Sequence, residues 1–322
     1  MRKLQGRCAA VGALALLSGA CARVPSPLPS LSPVRQVRYG PDRNGISYSE
    51  RAPREKEKLL ARLNEERRAR GVKPLTYDLL AAKVGDEFCQ DSAARAFSGH
   101  WDLEGRPPYL RWALAGGVDY HAENASSFSR TGNPVTPSEI ERLLFDSHAR
   151  MMDERPPDDG HRRAILDPNW THVGFGAGWA DGEFRMTEEF SRRVAEWVEI
   201  PAVPVRAGGA APFAAKLPPG WAPGVIEIGY ERAPSPMSRN QIRRRGSYAY
   251  PKAVALLRPL LSGSYRYPDG SQGQYDAGGG RITASLPLAE GAGHYWVLLY
   301  AAEGSAAGRP MSPVVAALVV SE

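Results

Sequence analysis

Six histidines and a scatter of carboxylates are the groups in this chain that can hold a metal or move a proton, and three islands set them beside small residues and helix ends. These are Ser98-Gly99-His100-Trp101, Ala122-Glu123-Asn124-Ala125 and Gly160-His161-Arg162-Arg163-Ala164-Ile165-Leu166. Two neutral imidazoles with one or two carboxylates suit a divalent metal, zinc above all, in an open site that keeps a position for water. A carboxylate next to that water would serve as general base, giving metal-assisted hydrolysis. The bland alternative is a buried His100–Glu123 pair that orders loops and has no metal function. The sequence has neither an HExxH helix nor a nucleophile–base pair, the usual marks of a hydrolase, so no residue is assigned a catalytic role.

The other histidines invite structural readings. His121, close to Glu123, is expected to face solvent. His148 shares a helical face with Leu144, Met151 and Met152 and reads as a core or cleft-edge imidazole, while His172 leads into a strand and His294 lies far along the chain. Cys89, inside a helical pattern, reads as a small buried hydrophobe.

The elements that must position the islands follow from periodicity. Leu59, Leu60 and Leu63 recur at helical spacing, and Gly71 closes that helix. A second helix over residues 77–97 carries Leu79, Leu80, Val84 and Phe88 and delivers the chain to His100. Pro107-Pro108 opens a third helix, stopped by Gly116-Gly117. Thr136-Pro137-Ser138-Glu139 has capping-box spacing and opens a fourth, carrying Ile140, Leu143 and Leu144 and ending near Glu154. After the third island the period becomes two: Val173, Phe175 and Ala177 alternate with small residues, and Asp181-Gly182 supplies a hairpin turn. Helices followed by antiparallel strands indicate an α+β sandwich.

The flanks differ in composition. Arg2, Lys3 and Arg7 precede a short apolar run that ends Leu17-Ser18-Gly19-Ala20-Cys21, so residues 1–21 read as an export signal with a lipobox-like end, and Cys21 is the candidate lipidation site. Acylation there would tether an otherwise soluble protein to a membrane. Residues 22–50 are rich in Pro and Ser and read as a solvated tether. The net charge of +6 invites a nucleic-acid reading, but residues 51–200 hold 22 Lys/Arg against 26 acids. The islands therefore sit in a mildly acidic segment, and no nucleic-acid partner is expected.

The order of Asn64-Glu65-Glu66-Arg67, Leu75, Tyr77-Asp78, the three islands and His172-Val173-Gly174-Phe175-Gly176 resembles the CAP superfamily of cysteine-rich secretory, venom-antigen and pathogenesis-related proteins, also called SCP-like. The resemblance covers about residues 54–198 and implies a three-layer α-β-α sandwich with a cleft of two histidines and two glutamates. By motif these correspond to His100, Glu123 and His161, with Glu154 as the remaining glutamate and Glu141 as its alternative. It implies a metal-binding cleft, in a domain spanning residues 51–198.

Residues 199–223, rich in Pro, Ala and Gly, read as a linker to a second part over 224–322. There residues 225–230, the alternation of Ile282, Ala284 and Leu286, residues 294–300 and residues 314–320 read as strands, as do the surroundings of Tyr265 and Tyr267, and Leu256 and Leu257 suggest an inserted helix. Short strands broken by Gly/Pro turns favour a small all-β sandwich, with an immunoglobulin-like arrangement as one candidate. Arg243-Arg244-Arg245 reads as a solvated basic loop. Together these features describe an exported, lipid-anchored protein of the cell envelope, on an outer membrane or secreted. Its cleft would bind a divalent metal and a lipid, peptide or cell-wall ligand; a metal-dependent hydrolase and a purely structural envelope protein are the alternatives.

Overall fold

The computed structural model describes residues 34–38, 54–304 and 310–322. The export-signal and lipidation readings, Cys21 included, lie outside the described residues. The first element is a strand, β1 (Val34–Arg38), inside the expected tether. There follow α1 (Arg54–Arg68), β2 (Thr76–Tyr77), α2 (Leu79–Ala94), α3 (Pro108–Leu114), β3 (Tyr120–Ser129), α4 (Ile140–Met152), α5 (Gly160–Leu166), β4 (His172–Ala180) and β5 (Glu183–Arg192). These elements build one sheet in the order β2-β4-β5-β3, covered on both faces by helices.

The glycine alternation of β4 sets the spacing of these layers. Val173, Phe175 and Ala177 point to one face, where they pack with Leu59 and Leu63 of α1 and with Leu143, Leu144, Met151 and Met152 of α4. Gly174, Gly176 and Gly178 point to the other, where α2 lies directly on the strand backbone. A Cβ on Gly176 would sit 2.3 Å from the carbonyl carbon of Gly85, and one on Gly174 2.2 Å from the Ala82 nitrogen. Caps and ties fix the helices. Asp78 accepts from the Leu80 and Ala81 amides at the start of α2. Thr136 donates its N–H to Glu139 Oε2 at 3.0 Å ahead of α4. Asn64 bonds both N and O of Leu75, and buried Arg67 donates to the Ile165 carbonyl at the end of α5.

The rest of the chain forms β6 (Trp197–Pro201), β7 (Ala210–Lys216), β8 (Trp221–Glu231), α6 (Arg239–Arg244), β9 (Ala253–Leu257), β10 (Arg281–Pro287), β11 (Gly293–Glu303) and β12 (Ser312–Ser321). Two four-stranded sheets, β1-β6-β7-β10 and β12-β11-β8-β9, enclose a core that includes Val198, Ile200, Phe213, Ile226, Ile228, Tyr295 and Val297. The fold is an α-β-α sandwich followed by an all-β sandwich.

Several sequence expectations need correction here. Residues 199–223 are not a linker: they supply β6, β7 and the start of β8, because alanines such as Ala211 and Ala215 fit the narrow space between the sheets. Leu256 and Leu257 lie on the edge strand β9, one exposed and one buried, and the helix falls instead on the basic run. Tyr265 and Tyr267 are in a turn-rich segment outside any strand. The outer face of the second sandwich sheet packs on α3: Trp296 meets Tyr109 edge-on at 4.8 Å, with Leu110, Ala113 and Leu318 around them. Ser32–Glu322 is accordingly one compact unit.

Candidate metal and ligand cleft

The cleft follows β3, the edge strand of the α-β-α sheet, and encloses about 740 Å³. The loop after α2 brings in His100, β3 brings in Glu123, and the turn into α5 brings in Glu154 and His161. They meet as two pairs. His100 Nδ1 lies 2.8 Å from Glu123 Oε1, and His161 Nδ1 lies 2.5 Å from Glu154 Oε1.

Each glutamate has further partners. Buried Glu123 accepts from Arg111 of α3, whose guanidinium also stacks 3.8 Å from the Phe88 ring centre and donates to the His100 carbonyl. Burial opposes the charge on Glu123, yet Arg111 and His100 outweigh it and hold its carboxyl below the usual range. Directly across the register stands Glu189, also buried; burial and the Glu123 charge push its pKa well above the usual range, favouring its protonated form. Glu154 Oε2 accepts the His161 and Arg162 amides at 3.0 and 3.4 Å, capping the first turn of α5. Glu141, the alternative to Glu154, is on the surface of α4, paired with Lys58 at 2.6 Å, away from the cleft.

A buried chain of polar groups backs the site. Asn124 donates to the His161 carbonyl at 3.1 Å and to Glu188 Oε2 at 3.0 Å, so the second island is tied directly to the third and, separately, to β5. Glu188 Oε1 is 2.6 Å from His148 Nδ1, whose Nε2 is 3.1 Å from Glu66 Oε2. Burial disfavours the His148 charge, but the two glutamates more than compensate and raise its pKa to about 9. His148 is thus the expected satisfied imidazole, carrying a charge. His121 corrects its expectation. It is buried, stacked 4.9 Å from Trp112 with Nε2 3.0 Å from Glu189, because residues two apart on a strand share a face and that face is covered by α3.

The donor set can be tested for a metal. Nδ1 of each cleft histidine is committed to a carboxylate, and no hydrogen-bonding partner for either Nε2 is present among the described residues. A carboxylate on one ring nitrogen is how metal-binding histidines are oriented. The glutamates, engaged by Arg111 and by the α5 amides, thus fix the two rings with each Nε2 turned away from its carboxylate partner. As the side chains stand, no three His, Cys, Asp or Glu groups among the described residues converge on one point.

Residues 60–184 match the family model described as CAP, the Cysteine-rich secretory protein family. The chain carries a CAP domain. Solved structures similar to it include an outer surface protein of Borrelia burgdorferi, 16% identical, covering 43% of this chain and 92% of that one with a TM-score of 0.35. An extracellular SCP-domain protein of Bacillus anthracis is 17% identical over 43% of this chain and 40% of its own, with a TM-score of 0.33. A structure named NaASP2 with Zn2+ is 10% identical over 44% and 82%, with a TM-score of 0.31. No curated protein matches the chain.

The motifs of the CAP domain led to His100, Glu123, Glu154 and His161 but not to Arg111, Glu188, Glu189 or Tyr248. Glu188 carried a signal, since on β5 it shares a face with Phe184, Met186 and Phe190, and an acid on an apolar face implies a buried partner. Tyr248, which also lines the cleft, comes from outside the CAP domain and had no local signal.

Proposed function

We propose that this chain is an exported protein of the cell envelope whose CAP domain binds rather than turns over: His100 and His161 hold a divalent metal, zinc by preference, and the cleft takes a peptide, lipid or cell-wall ligand beside it. The observation that carries this reading is the pairing of both cleft histidines, through Nδ1, with carboxylates, which leaves the Nε2 atoms for an ion. Zinc titration calorimetry on protein purified without added metal tests it. One equivalent should bind to the wild type, with at least about tenfold weaker binding in His100→Ala and His161→Ala. A wild type that takes up no stoichiometric zinc overturns the metal reading.

The membrane link rests on Cys21 and its lipobox-like context. Incorporation of a labelled fatty acid in a bacterial host, abolished by Cys21→Ser, is the expected result. Among the described residues no helix is long and apolar enough to cross a membrane.

A further inference from the structure

Between β8 and β9 the chain leaves the all-β sandwich and runs across the CAP domain over residues 232–252. It grips the His100 loop at several points. The Met237 N–H donates to the Leu103 carbonyl at 2.8 Å, the Arg245 guanidinium lies 5.0 Å from the Trp101 ring centre, and Ile242, fully buried, packs with Phe88, Cys89, Phe97 and Trp101. Gly105 passes so close that a Cβ there would meet the Ser235 carbonyl oxygen at 2.2 Å.

The same segment covers the open edge of β3 with two tyrosine hydroxyls. Tyr248 Oη accepts the Glu123 N–H and donates to the Glu123 carbonyl at 3.2 Å; Tyr250 Oη takes the same position at His121, at 3.4 and 3.5 Å. Outward backbone groups of an edge strand otherwise need water or another strand. The Tyr248 ring also meets His100 edge-on at 4.8 Å, and residues 245–248 line the cleft. One side chain thus touches both members of the first His/Glu pair.

We propose that residues 232–252 form a wall of the CAP cleft, with Tyr248 as a positioning residue for Glu123 and, through it, for His100. The wall closes over Cys89, so that one side of the cleft holding the histidines is made of residues contributed from outside the CAP domain. The positioning role rests on the zinc reading above; the wall does not.

Tyr248→Phe and Tyr250→Phe, each removing one hydroxyl from the same segment, test both parts in the full chain. Amide hydrogen exchange at Glu123 should become about tenfold faster in Tyr248→Phe and stay at the wild-type rate in Tyr250→Phe. Alkylation of Cys89 by N-ethylmaleimide, read by peptide mapping apart from Cys8 and Cys21, should be at least about tenfold faster in Ile242→Ala. An unchanged Glu123 exchange rate in Tyr248→Phe, or an unchanged Cys89 rate in folded Ile242→Ala, overturns the wall. Zinc affinity should fall about tenfold in Tyr248→Phe and hold in Tyr250→Phe; equal affinities in the two variants overturn positioning. A wild type without zinc overturns the positioning role along with the metal reading, while exchange and alkylation still decide the wall.

Discussion

Two carboxylates face each other across the β3–β5 register at Glu123 and Glu189, both buried, with Arg111 in contact with Glu123. Like charges so placed cannot both ionise cheaply, and the arginine settles which one does. Glu189→Gln, replacing a group already favoured in its neutral form, should change stability to urea by less than about 1 kcal/mol. Glu123→Gln leaves buried Arg111 without its counter-charge and should cost about 3 kcal/mol by the same measurement. His148 gives a pH signature. Its pKa rises from 6.5 to about 9 on folding, so its contribution is fully present below pH 6.5 and is lost as pH rises through 9. The melting temperature should fall between pH 6.5 and about 9, and His148→Gln should flatten that slope. His100, Glu123 and His161 were legible in the sequence because each sits in a short contiguous motif. Arg111 and Glu189 were not, since what makes them part of the site is register and burial. His121 went astray because residues two apart on a strand share a face, so its ring points with Glu123 toward α3 and not to solvent.

At the scale of elements, the positions of the site depend on how closely α2 approaches β4. Gly176→Ala forces a methyl against the Gly85 backbone, where neither partner can turn aside, and should destabilise by about 3 kcal/mol. Gly160→Ala is the control, since nothing lies within 4 Å of its added carbon at the start of α5. It should be neutral or stabilising by up to about 1 kcal/mol. Equal losses in the two variants, measured by thermal melting, would show that contact distance is not what selects glycine on β4. Helices α1 to α4 and the hairpin of β4 and β5 were readable because their periodicity or punctuation is strong. The strands at 197–216 hid behind Pro, Ala and Gly, whose usual meaning is linker, because two closely packed sheets select small residues for their volume.

For the whole molecule, the question is whether the two sandwiches unfold together. The outer face of the second sandwich lies on α3 through Trp296, which is fully buried, hydrogen-bonded through Nε1 to Glu231 at 2.8 Å and set edge-on against Tyr109. Tyr109 in turn donates its hydroxyl to Glu231 at 3.0 Å, and Arg111, two residues further along α3, holds Glu123. The ring that joins the sandwiches and the cation that organises the cleft are thus on one two-turn helix. Burial of large aromatic surface between parts of a chain favours joint over separate unfolding. Calorimetry should give a single transition for residues 54–322, and Trp296→Ala, which opens a cavity and leaves Glu231 short of a donor, should lower stability by about 4 kcal/mol. Because α3 carries Arg111, zinc binding should weaken in Trp296→Ala even though residue 296 does not line the cleft. Two resolved transitions, or a Trp296→Ala protein with wild-type zinc affinity, would mean that the CAP domain organises its cleft without help from the sandwich behind it.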